Sequence, residues 1–159
     1  MNQHSLAFWL KFIIILVGCC GLVVYLYAIP SFIFDMAEQF PEYAYCATPW
    51  LVFLWISAFP CFVVLGCGWK IAKNIGLNHS FCKDNAKMLK QISYFTTADL
   101  IYFFIGQIVF LLIGYNHPAI FIASIAVMVF ALAIAIASAI LSHLVLKASD
   151  LQEENDLVI

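Results

Sequence analysis

Residues 131–140 read Ala-Leu-Ala-Ile-Ala-Ile-Ala-Ser-Ala-Ile, and how they are read decides the fold. The two-residue alternation is that of a strand whose faces differ. The stretch lies, however, inside an uninterrupted apolar run over 118–146. In lipid a lone strand leaves its backbone N–H and C=O groups without partners, whereas a helix satisfies them internally. The stretch is therefore helix. Placed on a helix, Ala131, Ala135, Ser138 and Ser142 fall at i, i+4, i+7 and i+11 on one face. Small residues so spaced let another helix approach closely, either within one chain or between copies.

Working outward, three further segments are long and apolar enough to cross a hydrocarbon core about 30 Å thick, which takes about 20 residues. They cover 6–29, 50–69 and 92–114, with 118–146 as the fourth. The first is too long for a signal-peptide core and lacks a small-x-small cleavage site, so it reads as a retained helix. Composition agrees. Of the 159 residues 65% are hydrophobic and 10% charged, against about 45–50% and about 25% in soluble domains. One membrane domain is expected, an all-α bundle of four transmembrane helices. Pro60 interrupts the second span and is expected to kink it.

Charge sets the orientation. The chain has seven lysines and no arginine. Segment 30–49 carries Asp35, Glu38 and Glu42 and no lysine, while segment 70–91 carries Lys70, Lys73, Lys83, Lys87 and Lys90. With Lys11 and Lys147, a four-span topology gathers every lysine on one side, which the positive-inside tendency makes cytoplasmic. The chain is then expected in the bacterial cytoplasmic (inner) membrane, with both termini in the cytoplasm. Trp9, Trp50 and Trp69 fall near the expected membrane–water boundaries. An arginine-free chain of this kind offers no nucleic-acid surface of its own.

Candidate chemistry is sparse. No G-x-S-x-G, H-E-x-x-H, Gly-rich phosphate loop or carboxylate pair occurs, so no catalytic residue is expected. The six cysteines form no C-x-x-C and have no zinc-ligand spacing with His4, His79, His117 or His143. They read as small packing residues, and neither metal nor cofactor is expected. Asp99 is the one acid inside a span, roughly 10 Å below the expected boundary at 1.5 Å per residue. An ionised carboxylate there costs about 2.5–3.5 kcal/mol and seeks a partner. Ser138, Ser142 and His143, at matching depth on the antiparallel fourth helix, are the candidates. Two readings stand: a proton, ion or switch site, or a protonated or hydrogen-bonded acid within reach of Tyr102 or water.

Two connections face the lysine side. Over 81–91, Lys83, Lys87 and Lys90 share one face, opposite Phe81, Met88 and Ile92, as in a helix resting on a membrane surface. The tail over 147–159 carries Asp150, Glu153, Glu154 and Asp156, then the apolar end Leu157-Val158-Ile159. Opposite charge allows the tail to dock on the basic segment, or either to dock on a protein partner.

At this point the residues resemble a known family. The stretch Lys-Ile-Ala-Lys-Asn-Ile-Gly over 70–76, the stretch Phe-Cys-Lys-Asp-Asn-Ala-Lys-Met-Leu-Lys-Gln-Ile over 81–92 and the ending Glu-Glu-Asn-Asp-Leu-Val-Ile over 153–159 are similar to the DUF2975 family of small bacterial four-helix membrane proteins. Cys82 stands where that family usually has Ser, a better helix cap, and Val158 where it usually has Thr. The family has no established function. Its members are thought of beside a very short Cro/CI-like helix-turn-helix protein. The resemblance therefore implies a membrane-bound regulator or scaffold that holds such a protein at the membrane. Glu153, Glu154, Asn155, Asp156, Leu157 and Ile159 would make the contact, with Phe81, Asn85 and Lys87 in support. A reading from another class is a small oligomeric transporter or channel that uses Asp99 and assembles through the small-residue face.

Overall fold

The computed structural model describes residues 3–116 and 118–157. His117, Val158 and Ile159 lie outside the described residues, as do the side chains of Asp156 and Leu157. The described chain is helical almost throughout and contains four helices long and apolar enough to cross a membrane. Large apolar side chains cover its outside, among them Leu26, Phe59, Leu112 and Phe130. Water would penalise that surface, and a lipid environment does not.

The helices are longer than the spans expected of them. Helix α1 (Gln3–Val23) passes through one π-helical turn (Val24–Ala28) into α2 (Ile29–Gln39). Pro30 supplies the reason for that turn. It has no N–H to donate to the preceding turn, and the Ile29 N–H reaches back five residues to the Val24 carbonyl. The segment over 30–49, expected as a connection, is thus mostly helix. It breaks at Phe40 (φ −128°, ψ 80°), which Pro41 excludes from helical geometry. A 3₁₀ turn (Pro41–Cys46) then leads into α3 (Ala47–Gly76), which continues unbroken through Pro60.

Only Leu77–Cys82 remains as loop between α3 and α4 (Lys83–Leu112), where a basic connection over 70–91 was expected. Asn78 closes the turn at φ 62°, a left-handed conformation that Asn tolerates. Cys82 stands at the N-cap of α4 and makes no side-chain capping bond, as its thiol predicts. The residues from Lys83 onward are the first turns of the spanning helix itself, and no separate surface helix forms. Likewise α5 (Pro118–Leu157) absorbs the tail: residues 147–157 are its last turns.

Each spanning helix packs on its neighbour in the chain: α1 on α3, α3 on α4 and α4 on α5, with α2 folded over the start of α3. Among the described residues α1 does not reach α4 or α5, so the four-helix bundle is open along one side. The face with Ala131, Ala135, Ser138 and Ser142 is used within the chain. Ala135 is 4% exposed, and the Ser142 hydroxyl donates to the Ala86 carbonyl of α4 at 2.7 Å. The same stripe continues to buried Ser124 and Ser149. Within the chain it packs on α4.

At the lysine-poor end Cys46, Trp50 and Phe53 form the core with Tyr102, Phe103, Phe110 and Tyr115. Phe53 stacks on Tyr102 at 4.9 Å between ring centroids, and Trp50 lies 4.7 Å from Phe110. The Trp50 indole N–H donates to the Tyr115 carbonyl at 2.9 Å, tying α3 to the α4–α5 turn. Gly106 lets α3 and α4 approach closely, since any Cβ there would collide with the Phe53 ring. At the other end Lys11 sits over the Trp69 ring, the amphipathic arrangement expected of a membrane boundary. Cys46 and Cys67 are buried. Cys19, Cys20 and Cys61, expected in the packing, are exposed, although the Cys61 thiol reaches Asp99 of α4.

Candidate functional site

Apart from the buried pair in which the Asn116 amide donates to Gln107 Oε1 at 2.7 Å, two places combine polar side chains in a way the apolar helices do not require. The first is Asp99, near the midpoint of α4. Ser57 of α3 donates to Asp99 Oδ2 at 3.0 Å, and the Cys61 thiol, one turn further along α3, lies 3.9 Å from the same oxygen. The Tyr25 hydroxyl in the π turn meets Cys61 Sγ at 3.8 Å, and Trp55 Nε1 donates to the Tyr25 carbonyl at 3.0 Å. Side chains of α3 therefore bond the carboxylate, and the π turn joins them through Cys61. A π turn inside a helix often marks a functional site. Asp99 Oδ1 is enclosed and has no hydrogen-bond partner among the described residues.

This corrects the expected partnership with α5. Ser142 spends its hydroxyl on Ala86, Ser138 is half-buried on the packing face and His143 is exposed. None of the three bonds Asp99. Tyr102 also turns elsewhere, donating to the Phe53 carbonyl at 3.2 Å. The acid faces the α3 side of α4, whereas α5 packs on another side. Depth along the membrane was legible and rotation about the helix axis was not. Ser57 carried the missed signal: it is a lone buried hydroxyl at mid-length of the antiparallel neighbour.

The second place is the lysine-rich end, where the α3–α4 loop meets the last turns of α5. Lys83 Nζ lies 2.7 Å from Glu153 Oε2 and 3.6 Å from Asp150 Oδ1, all three side chains more than half exposed. Asp150 and Glu153, at i and i+3, share one helix face. Acidic tail thus docks on basic segment within one chain, around a polar hollow of about 420 Å3 that Gln3, His79, Phe81 and Ser149 also line. Phe81 is 59% exposed, and Lys87, Lys90, Glu154 and Asn155 are exposed around it.

Asn85, expected as a supporting contact for a partner, is 1% exposed. Its amide donates to the carbonyls of His79 (3.1 Å) and Ser80 (2.9 Å). Its oxygen accepts from Asn74 Nδ2 at 2.8 Å. Both ends of the side chain are used to hold the loop, so Asn85 positions Phe81 and Lys83 and touches nothing outside. Lys87 is free to do so.

Comparison with known proteins places these features in a wider set. The family model described as "Protein of unknown function (DUF2975)" matches residues 31–159, which include Asp35, Glu38 and Glu42, all of α3 to α5 and both polar places except Tyr25 and Gln3. A curated protein of Bacillus subtilis (strain 168), the "Uncharacterized membrane protein YoaS", is 29% identical over 161 residues, with the alignment spanning 100% of each chain. No solved structure matches.

Proposed function

The chain belongs to the DUF2975 family, and from that premise we propose that it is a multi-pass membrane regulator or scaffold that captures a short Cro/CI-like helix-turn-helix protein at the bacterial cytoplasmic membrane. In this reading the lysine-bearing end and both termini face the cytoplasm, in line with the positive-inside tendency. The observation that carries the proposal is the composite surface at that end. An exposed aromatic, Phe81, lines the same hollow as Lys83 and as Glu153 of the acidic last turns of α5, and Lys87 is exposed on the following turn of α4. A small basic regulator would meet Glu153, Glu154 and Asn155, with Asp156, Leu157 and Ile159 continuing the contact. Charge would set the encounter, and the aromatic would supply the desolvated centre.

The Lys83–Glu153 pair gives such a surface two states. With the pair closed, Glu153 is taken within the chain. A partner that binds Glu153 must replace Lys83. Deleting residues 153–159 is expected to abolish capture of the helix-turn-helix protein from detergent extracts and to leave membrane insertion intact. Unchanged capture removes the proposal. External protease cutting the 81–90 segment on intact cells reverses the orientation and removes it as well.

One observation favours a second reading, a small transporter or channel. Asp99 has an enclosed oxygen without a hydrogen-bond partner among the described residues, and α3 and, through Cys61, the π turn are linked to it. Asp99→Asn is then expected to abolish a pH-dependent flux in liposomes. Wild-type liposomes without flux end that reading.

A further inference from the structure

The lysine-poor end contains a pocket of about 620 Å3 enclosed by α2, the 3₁₀ turn, the start of α3 and the first turns of α5. It belongs to neither polar place described above. We infer that it binds a free amphiphilic organic cation, an aromatic or aliphatic body carrying one delocalised positive charge.

The volume lies within the roughly 300–1,000 Å3 of small-molecule sites. The wall is apolar and aromatic: Cys46 and Trp50 are buried, and Phe40, Tyr43 and Tyr115 join them. Apolar ligand surface entering it leaves water or headgroups at a gain. Charge decides the rest. Among the described residues Glu42 is the one charged side chain in the wall, and it has no ion-pair partner among them. Trp50 has given its only donor to the Tyr115 carbonyl, so its ring can offer a π face and no hydrogen bond. Aromatic faces and a carboxylate both attract a cation. Among the described residues no lysine, arginine or histidine lines the pocket, and no lysine occurs between Lys11 and Lys70. An anionic ligand would find no counter-charge, and a strongly hydrated small cation would find too few oxygens. A delocalised organic cation satisfies both the apolar wall and the carboxylate.

Tetraphenylphosphonium and tetraphenylborate have the same shape and opposite charge, which makes them the probe and its control. Binding to the detergent-solubilised full chain is read by titration calorimetry and by quenching of tryptophan fluorescence. Saturable binding of tetraphenylphosphonium is expected, with none of tetraphenylborate. Glu42→Gln, at an exposed position where folding is not at stake, is expected to weaken it about tenfold. Ala123→Trp fills the pocket from an exposed position on α5 and is expected to abolish binding. Equal binding of the two ions, no binding of either, or wild-type affinity in Ala123→Trp would each overturn the inference.

Discussion

Replacing Asn85 by alanine tests how the lysine-rich surface is held. The side chain makes three hydrogen bonds, to the carbonyls of His79 and Ser80 and from the amide of Asn74, at 3.1, 2.9 and 2.8 Å. Each is worth about 1 kcal/mol net, and truncation strands three partners in a site only 1% exposed, so the expected loss is about 3 kcal/mol. Asn85→Asp separates this from simple loss of volume. It keeps the size and the bond from Asn74 but sets carboxylate oxygens against two carbonyls, so it is expected to cost at least as much. Asn74→Ala removes one of the three bonds and is expected to cost about 1 kcal/mol. The measurement is equilibrium unfolding in mixed dodecyl maltoside and dodecyl sulfate micelles, followed by tryptophan fluorescence and circular dichroism. If Asn85→Ala costs less than Asn74→Ala, or Asn85→Asp is neutral, the loop is not held in this way. The reasoning that removes Asn85 from the partner surface then fails too.

Other perturbations reach other parts of the fold. Gly106→Ala drives a methyl group into Phe53, whose ring is hemmed in by Trp50, Tyr102, Phe103 and Phe110. The same unfolding assay is expected to show a loss of about 1–3 kcal/mol, and a neutral result would mean that α3 and α4 do not meet there. Gly66→Ala is the control, with nothing within 4 Å of a new Cβ and an expected gain of up to about 1 kcal/mol from helix propensity. Lys83→Glu faces Asp150 and Glu153 with a like charge. It is expected to speed amide hydrogen exchange over residues 150–157, whereas Lys83→Arg leaves exchange slow. In wild type, salt at about 1 M shortens the screening length to about 3 Å and is expected to produce part of the same loosening.

The all-helical fold and its four spans were legible because solvation is nearly additive along a chain. Each apolar residue in a stretch of about 20 favours lipid, whatever its neighbours in space turn out to be. The face with Ala131, Ala135, Ser138 and Ser142 was legible for a related reason, since helical periodicity alone puts those residues side by side. Element ends were less so. Pro30 and the acids after it read as a boundary, yet the π turn let the helix absorb the proline. The lysines of 70–91 and the acids of 147–159 read as loop and tail, yet charged residues extend a helix beyond the membrane as readily as they leave it.

Composition and periodicity thus determined the solvent, the number of spans and the gathering of the lysines at one end. Tertiary structure decided which side of α4 each neighbour covers, and with that the partner of Asp99. It also decided that Asn85 turns inward to its loop while Phe81 turns outward. The reason is geometric. Rotation of a helix about its own axis changes neither its length nor its hydropathy, so only the interlocking of side chains such as Phe53 against Gly106 selects one rotation.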